Sequence, residues 1–344
     1  MSVSINGTSG IVFNDGTTQA TVAYSPWRNR IINGDMRIDQ RNAGASVTVN
    51  NNSYIYSVDR WAGLGQPTDG VFTLQRATVA PTGFSNSLLA TVTTADTSLG
   101  ASQFYVVRQA IEGFNIADLG WGAAGAQAVT LSFWVRSSLT GTFGGSLRNA
   151  VPNRSYPFTY SINAVNTWEQ KTISIAGDTS GTWDSTNGEG INLFFGLGVG
   201  SSFSGAAGAW AGANYLSATG AQSVVGTNGA TFYITGVQLE AGTTATPFER
   251  VEYGEMERRC RRYFQPLFMG LGGISQNGIS QRVTYNLSPP MRATPTLSAV
   301  TSLETTNAGT SLVGAVDNQQ IIYIATPTST SFIKRDSCTA SAEL

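Results

Sequence analysis

TFYITGVQLEAGTTATPFERVEYGEMERRCRRYF, residues 231–264, runs from a buried strand into a short, densely charged amphipathic helix. Phe232 and Ile234 fall at even positions, Val237 and Leu239 at odd ones. Side chains alternate across a strand, so a bulge at Thr235-Gly236 is needed to return all four to one face. Beyond it, nine of the fourteen residues from Glu249 to Arg262 are charged, against 12% of the whole chain. Met256, Cys260 and Tyr263 recur at spacings of four and three, continuing back to Tyr253, the period of one helix face. Glu255 with Arg259 and Glu257 with Arg261 are acid-before-base pairs at i,i+4, each contributing a few tenths of a kcal/mol. Acids lead and arginines close, as the helix dipole favours. A helix of roughly four turns is marginal alone, so the stripe must be covered. So narrow a stripe suits symmetry mates around an axis; the chain's own sandwich is the other surface open to it.

Upstream, residues 27–248 read as one β-sandwich of jelly-roll type. Val129, Leu131, Phe133 and Val135 alternate with Thr130, Ser132, Trp134 and Arg136, as in a half-buried strand. Ile191, Leu193, Phe195, Leu197 and Val199 repeat the pattern, and Gly196 and Gly198 between them invite a bulge or a close backbone approach. Turn clusters such as Gly177 to Gly181 and Asn187-Gly188 separate the strands. Gly200 to Gly229 is a long Gly/Ala/Ser-rich excursion, read either as a functional loop or as a segment held by a neighbouring subunit.

The chain is therefore mainly β, in four parts. Residues 1–26 form a tether for attachment or trimerisation, built on a β-hairpin in which Ile11-Val12-Phe13 and Thr17-Thr18-Gln19 flank Asn14-Asp15-Gly16. Phe13, Asp15 and Gly16 are its candidate attachment residues; a floppy tail is the alternative. A lone hairpin is marginal in water, so these strands need partners. After the sandwich come a linker helix at 249–265 and a small β-domain at 266–344. There Arg282 to Leu287 and Gln320 to Ile324 read as strands, and Pro289-Pro290 sets an extended connection outside any central strand.

Composition narrows the chemistry. Net charge is −1 with no basic tract before residues 258–262, which leaves no nucleic-acid footprint spanning a domain. Eighteen of the twenty basic residues are arginine, suited to fixed fork-like contacts with carboxylates. Cys260 and Cys338 form no zinc spacing and read as free thiols made in a reducing cytoplasm. The opening residues carry no signal-peptide pattern, and no apolar run is long enough for membrane insertion. With no histidine, every Ser-His-Asp or Cys-His arrangement is excluded. Carboxylate pairs remain the only hydrolytic machinery available, and Asp178, Asp184 and Glu189 near Trp183 are the set to consider. As turn and loop acids in a solvated segment they read more simply than as a catalytic pair. No cofactor motif is present.

Aromatic residues are the better ligand candidates. Trp134 falls on the polar face of its strand, and Trp183, Trp210 and Tyr215 lie in turn- or loop-like segments. Their ring faces offer stacking area to a sugar; filling a subunit interface is the competing role. Trp61 and Trp168 read as core or edge packing.

An ordered set of motifs completes the reading: Asn33-Gly34-Asp35-Met36, Val58-Asp59-Arg60-Trp61, Thr130 to Val135, Thr167-Trp168-Glu169, Gly177 to Trp183, Gly236 to Glu240, Arg262-Tyr263-Phe264 and Met291 to Thr296. Together they resemble tailed-bacteriophage tail-fibre or minor structural proteins with a carbohydrate-binding-module-like sandwich. The resemblance implies a homotrimeric receptor-binding subunit of the virion, made in the host cytoplasm and released by lysis. It would be attached to other virion proteins through its N-terminus, with host-surface glycans as the expected ligands and no enzymatic activity. A head or tail fibre or adaptor that binds no glycan, and a polysaccharide depolymerase, are the alternatives. Related sandwiches often hold a structural calcium, for which Asp35 and Glu240 are the weak candidates here, since Thr235-Gly236 stands where acidic ligands are common.

Overall fold

A computed structural model describes residues 27–66 and 69–344 in full, together with the backbone of three short strands, Ser4–Asn6, Gly10–Val12 and Thr18–Gln19. The last two pair antiparallel, Ile11 opposite Gln19 and Val12 opposite Thr18, as the hairpin reading requires. Phe13, Asp15 and Gly16 lie outside the described residues.

The chain is mainly β, with a single α-helix among the described residues. Two six-stranded antiparallel sheets face each other. The first runs, edge to edge, Glu169–Ile175, Val129–Ser137, Thr231–Ala241, Ser87–Thr94, Val71–Ala77, Val47–Val49. The second runs Ser155–Ile162, Gly141–Arg148, Glu189–Val199, Phe104–Glu112, Ala62–Gly65, Ile55–Tyr56. Val129, Leu131, Phe133 and Val135 are fully buried between them, against Phe195, Tyr160 and Phe232. Phe133 meets Phe195 and Tyr160 edge-to-face at 5.0 Å, the geometry that ring quadrupoles favour.

The bulge falls where the phase break requires it. Ser132 pairs with Gln238 but Trp134 pairs with Thr235, so one extra residue is accommodated around Gly236, whose φ is +59°. Phe232, Ile234, Val237 and Leu239 all reach the core. The bulge also changes the strand's neighbour. Before it, Thr231 to Ile234 pair with Leu88 to Thr91. After it, Val237 N–H donates to Gly34 O and Arg30 N–H to Leu239 O, both near 2.9 Å. A Cβ on Gly34 would lie 2.1 Å from Val237 O, so only glycine fits this approach.

A second bulge falls between Gly196 and Gly198. It turns Val199 away from the core that holds Ile191, Leu193, Phe195 and Leu197, onto an outer cluster of Leu64, Phe104, Val106, Phe194 and Leu216. This corrects the expected continuous alternation. It also explains Gly200 to Gly229, which the chain's own sandwich holds. Ser204–Gly205 pairs with Ser217–Ala218, Leu216 covers the outer cluster, and Val224 and Val225 enter the main core.

The helix spans Tyr253–Arg261, shorter than expected at both ends. Glu252 caps it, and Glu255–Arg259 and Glu257–Arg261 pair at 3.1 and 3.4 Å as its spacing predicts. Its stripe points inward from Met256 onward, whereas Tyr253 at its start is exposed. Met256 and Cys260 pack on Ile32, Ile38 and Val251, and Tyr263 is fully buried beneath Arg60, so these three residues are not a surface for other subunits. Arg262 forks onto Glu112 at 2.5 and 2.9 Å, and Tyr263 donates to the same carboxylate at 2.6 Å.

The remaining strands form two small sheets. Phe264–Ile274, Ser331–Ser341, Thr296–Leu297 and Thr301–Thr306 make one; Gln281–Asn286, Gln320–Pro327 and Ala308–Ala315 make the other. Met269, Leu287, Met291, Ile321, Tyr323 and Phe332 fill the core between them. Residues 342–344 return to the sandwich. Arg60 and Arg41 both bind Glu343, Arg108 donates to Leu344 O at 3.1 Å, and Arg292 donates to Ala342 O and Glu343 O.

Two of the motifs quoted above, Asn33 to Met36 and Val58 to Trp61, meet at this junction. Asn33 binds Ile38 and Asp59 backbone, Trp61 donates to Asn33 O, and Asp59 accepts from Gln40 and lies 3.5 Å from Arg41. They are the interlock of the sandwich, the helix and the distal strands.

Candidate functional site

At one end of the sandwich the backbone makes two tight turns in Gly120-Trp121-Gly122. Gly120 and Gly122 have φ of +63° and +90°, and a Cβ on Gly122 would lie 2.7 Å from Gly181 O. This presses Trp121 against the Gly177 to Trp183 turn. Gly122 N–H donates to Asp178 O at 2.7 Å, and Arg154 forks onto the Asp178 carboxylate at 2.5 and 2.7 Å. Asp178 is thus buried and paired, not a solvated turn acid.

Three tryptophans meet there. Ring centroids lie 4.7 Å apart for Trp121–Trp183, 5.2 Å for Trp121–Trp210 and 5.4 Å for Trp183–Trp210, all edge-to-face, with Tyr156 5.3 Å from Trp210. Each indole N–H donates to a backbone carbonyl: Trp121 to Gln127, Trp183 to Ser180 and Trp210 to Ala176. With the polar edges satisfied inside the protein, the exposed parts of Trp183 and Trp210 offer apolar ring surface.

A depression of about 220 Å³ opens beside them, lined by Ile116, Ala117, Gly120, Trp121, Trp183 and Asp184. Asp184 Oδ1 accepts from Thr186 N–H and O–H at 2.6 and 2.7 Å, which fixes the carboxylate at the rim. Phe114 N–H donates to Thr186 O at 2.7 Å, and the Phe114 ring is exposed.

Trp183 and Trp210 therefore come together as ligand candidates, while Trp134 and Tyr215 lie elsewhere. Trp134 is half-buried on the outer face of the first sheet, over Gly236. The Tyr215 ring covers Gly205, and its N–H donates to Ser155 Oγ. Trp61 is in the core, and Trp168 packs on Tyr233 at 6.0 Å. Trp121 was missed by the sequence reading, although a tryptophan between two glycines was a legible sign of an aromatic on a tight turn.

The three acids considered for hydrolysis have separate partners, and only Asp184 lines the depression. Burial raises the Glu189 pKa, but Arg108 and Asn192 outweigh it and leave the group below its ordinary value. Asp178 is forked by Arg154, and Asp184 is held by the Thr186 donors. Asp35 and Glu240, the calcium candidates, have separate partners. Asp35 pairs with Arg37 at 2.5 Å; Glu240 accepts from Thr246 and Gln238 and lies 3.3 Å from Arg28. Among the described residues no three His, Cys, Asp or Glu side chains gather as a metal site.

No protein-family model and no curated protein matches the chain. Among solved structures, the tailspike protein 4 enzymatically active domain of bacteriophage CBA120 is similar at 15% identity over 63% of this chain, with a TM-score of 0.33. The match spans only 22% of that tailspike chain. A putative sugar binding protein from Bacteroides thetaiotaomicron is similar at 12% identity, covering 62% of this chain and all of that one, with a TM-score of 0.36. A family 11 carbohydrate-binding module from Clostridium thermocellum, in complex with a β-1,3-1,4-mixed-linked tetrasaccharide, is similar at 10% identity over 59% of this chain and 100% of its own, with a TM-score of 0.29.

Proposed function

We propose that this chain is a non-enzymatic attachment subunit of a phage virion appendage that contacts host-surface glycans at the Trp121–Trp183 depression. One observation carries the glycan reading. Aromatic surface, already freed of its own hydrogen-bonding needs, stands beside a fixed carboxylate in an opening of about 220 Å³. A sugar needs both an apolar wall for its C–H face and acceptors for its hydroxyls.

The acids support binding rather than hydrolysis. A general acid needs a pKa raised toward neutrality, and Glu189 is held low by Arg108; Asp178 is buried on Arg154 and does not line the depression. The virion assignment rests on the ordered motifs of the sequence. A homotrimer, held through the short strands of residues 4–19, would turn weak contacts into avid ones.

The test is titration of host polysaccharide fragments against the full chain, read by tryptophan fluorescence. Trp183→Ala should weaken binding about tenfold, the equivalent of losing one aromatic stack. Reducing-sugar release would overturn the non-enzymatic reading. A second reading, a structural adaptor without glycan binding, is favoured by the interlocked rings; unchanged fluorescence with every fragment would select it.

A further inference from the structure

A second cavity, of about 350 Å³, lies where the Asp35–Arg37 turn, the Gly83–Ser85 loop and the Arg250–Val251 connector meet. Its floor is Asp35, whose residue is 3% exposed. Asp35 Oδ2 accepts from Arg37 Nε at 2.5 Å, but Oδ1 is buried without a hydrogen-bond partner. Burial pushes this carboxyl above its ordinary pKa, with Arg37 and Arg250 opposing it. A buried acceptor left unpaired is costly and uncommon in native proteins, so its position requires an explanation.

The wall supplies the complement. Arg37 is committed to Asp35 and, through Nη2, to Val251 O at 2.7 Å. Arg250 is exposed, and among the described residues its guanidinium makes no hydrogen bond or ion pair. It rests on the Phe84 and Phe248 rings, 4.8 and 5.8 Å from their centroids, with five N–H donors to offer. Two guanidiniums against one carboxylate leave the lining at +1.

We infer that this cavity binds one acidic sugar ring, a uronic acid residue. Its carboxylate is clamped by Arg250, Phe84 is the apolar wall, and one of its hydroxyls donates to Asp35 Oδ1, which is covered in this structure and is reached only once Arg250 has moved. Arg250, held by ring contacts alone, swings aside to admit the ring and closes on it. Each part of the chemistry selects against other ligands. A metal cation is repelled by two arginines, a simple inorganic anion brings no hydroxyl donor to Asp35, and a neutral sugar leaves the positive charge unmatched. The site shares no lining residue with the Trp121–Trp183 depression and does not depend on that reading.

The test is calorimetric titration of the full chain with methyl glucuronoside and, in parallel, methyl glucoside and sodium sulfate. The uronoside should bind roughly ten- to a hundredfold more tightly than the glucoside, as expected for a hydrogen bond to a charged group. Arg250→Ala should erase that preference while the chain still unfolds cooperatively, with a thermal midpoint lowered by only a few degrees, because the side chain is exposed and held by ring contacts. Trp183→Ala should leave the uronoside affinity unchanged. Equal affinity for both glycosides, sulfate competing as well as the uronoside, or an Arg250→Ala variant with intact preference would overturn the proposal. No heat with any of the three would mean that Asp35 Oδ1 serves a resident water only, and would overturn it equally.

Discussion

Glu343→Ala should loosen the distal strands from the sandwich. The Glu343 side chain is 7% exposed and bridges Arg60, which is 1% exposed, and Arg41, which is 12% exposed, with Arg41 Nη2 at 2.7 Å. Burial disfavours the Arg60 cation; Glu343 opposes it most strongly and, together with Tyr263, Tyr56 and Cys260, more than offsets it. Removing one partner of a buried pair typically costs about 3–5 kcal/mol, because the survivor is left uncompensated. Arg60 keeps Ala110 O at 2.6 Å and the Tyr263 ring at 3.6 Å, and Arg41 keeps Asp59 at 3.5 Å, which places the cost near the lower end. A loss of roughly 3 kcal/mol is a large share of the stability of an ordinary domain.

The assay is urea unfolding combined with amide exchange across Phe264–Ile274 and Ser331–Ser341, the paired strands next to this contact. Glu304→Ala is the control. Its pair with Arg335 is exposed, 40% and 64%, and such pairs contribute about 0–1 kcal/mol. Raising salt should change the control difference and leave the Glu343 difference nearly untouched. If Glu343→Ala matches the control to within about 0.5 kcal/mol and exchange is unchanged, the buried-pair reasoning is wrong.

Two further outcomes follow from the same packing. Met256→Ala should cost about 2–5 kcal/mol in thermal or chemical unfolding while leaving the mass of the folded protein unchanged in sedimentation, because the side chain is buried against Ile38 within its own chain. A change of mass with no loss of stability would put the helix back at a subunit interface. Glu189 has a folded pKa below its ordinary value of 4.5, so its stabilisation is fully present above that value and is lost as pH falls through the folded pKa. The stability gap between the parent and Glu189→Gln should therefore be flat above pH 4.5 and shrink below it in acid unfolding; a gap that widens toward acid refutes the sign.

The strands were readable because burial on one face imposes period two, and Val129 to Val135 carry it without interruption. The bulge at Gly236 was readable for the same reason, since a phase break has few other remedies. The Val199 turn-out was not: Gly196 and Gly198 announced an irregularity without saying which face the next residue would take. The helix stripe was visible, but its partner was not. Nothing in the 231–264 stretch states that Ile38 lies under Met256. Trp121 escaped because its role depends on loops some sixty and ninety residues away, at Trp183 and Trp210.

By itself, then, the order of residues determined the β class, the strand faces, the helix with its ion pairs and the absence of histidine chemistry. These follow from local periodicity and residue type. Only the tertiary structure decided what the charges are for. Glu112 meets Arg262 across 150 residues and Arg41 meets Glu343 across 302. An arginine's five donors can satisfy many carboxylates, and only the packed chain brings one within reach and removes the competing water.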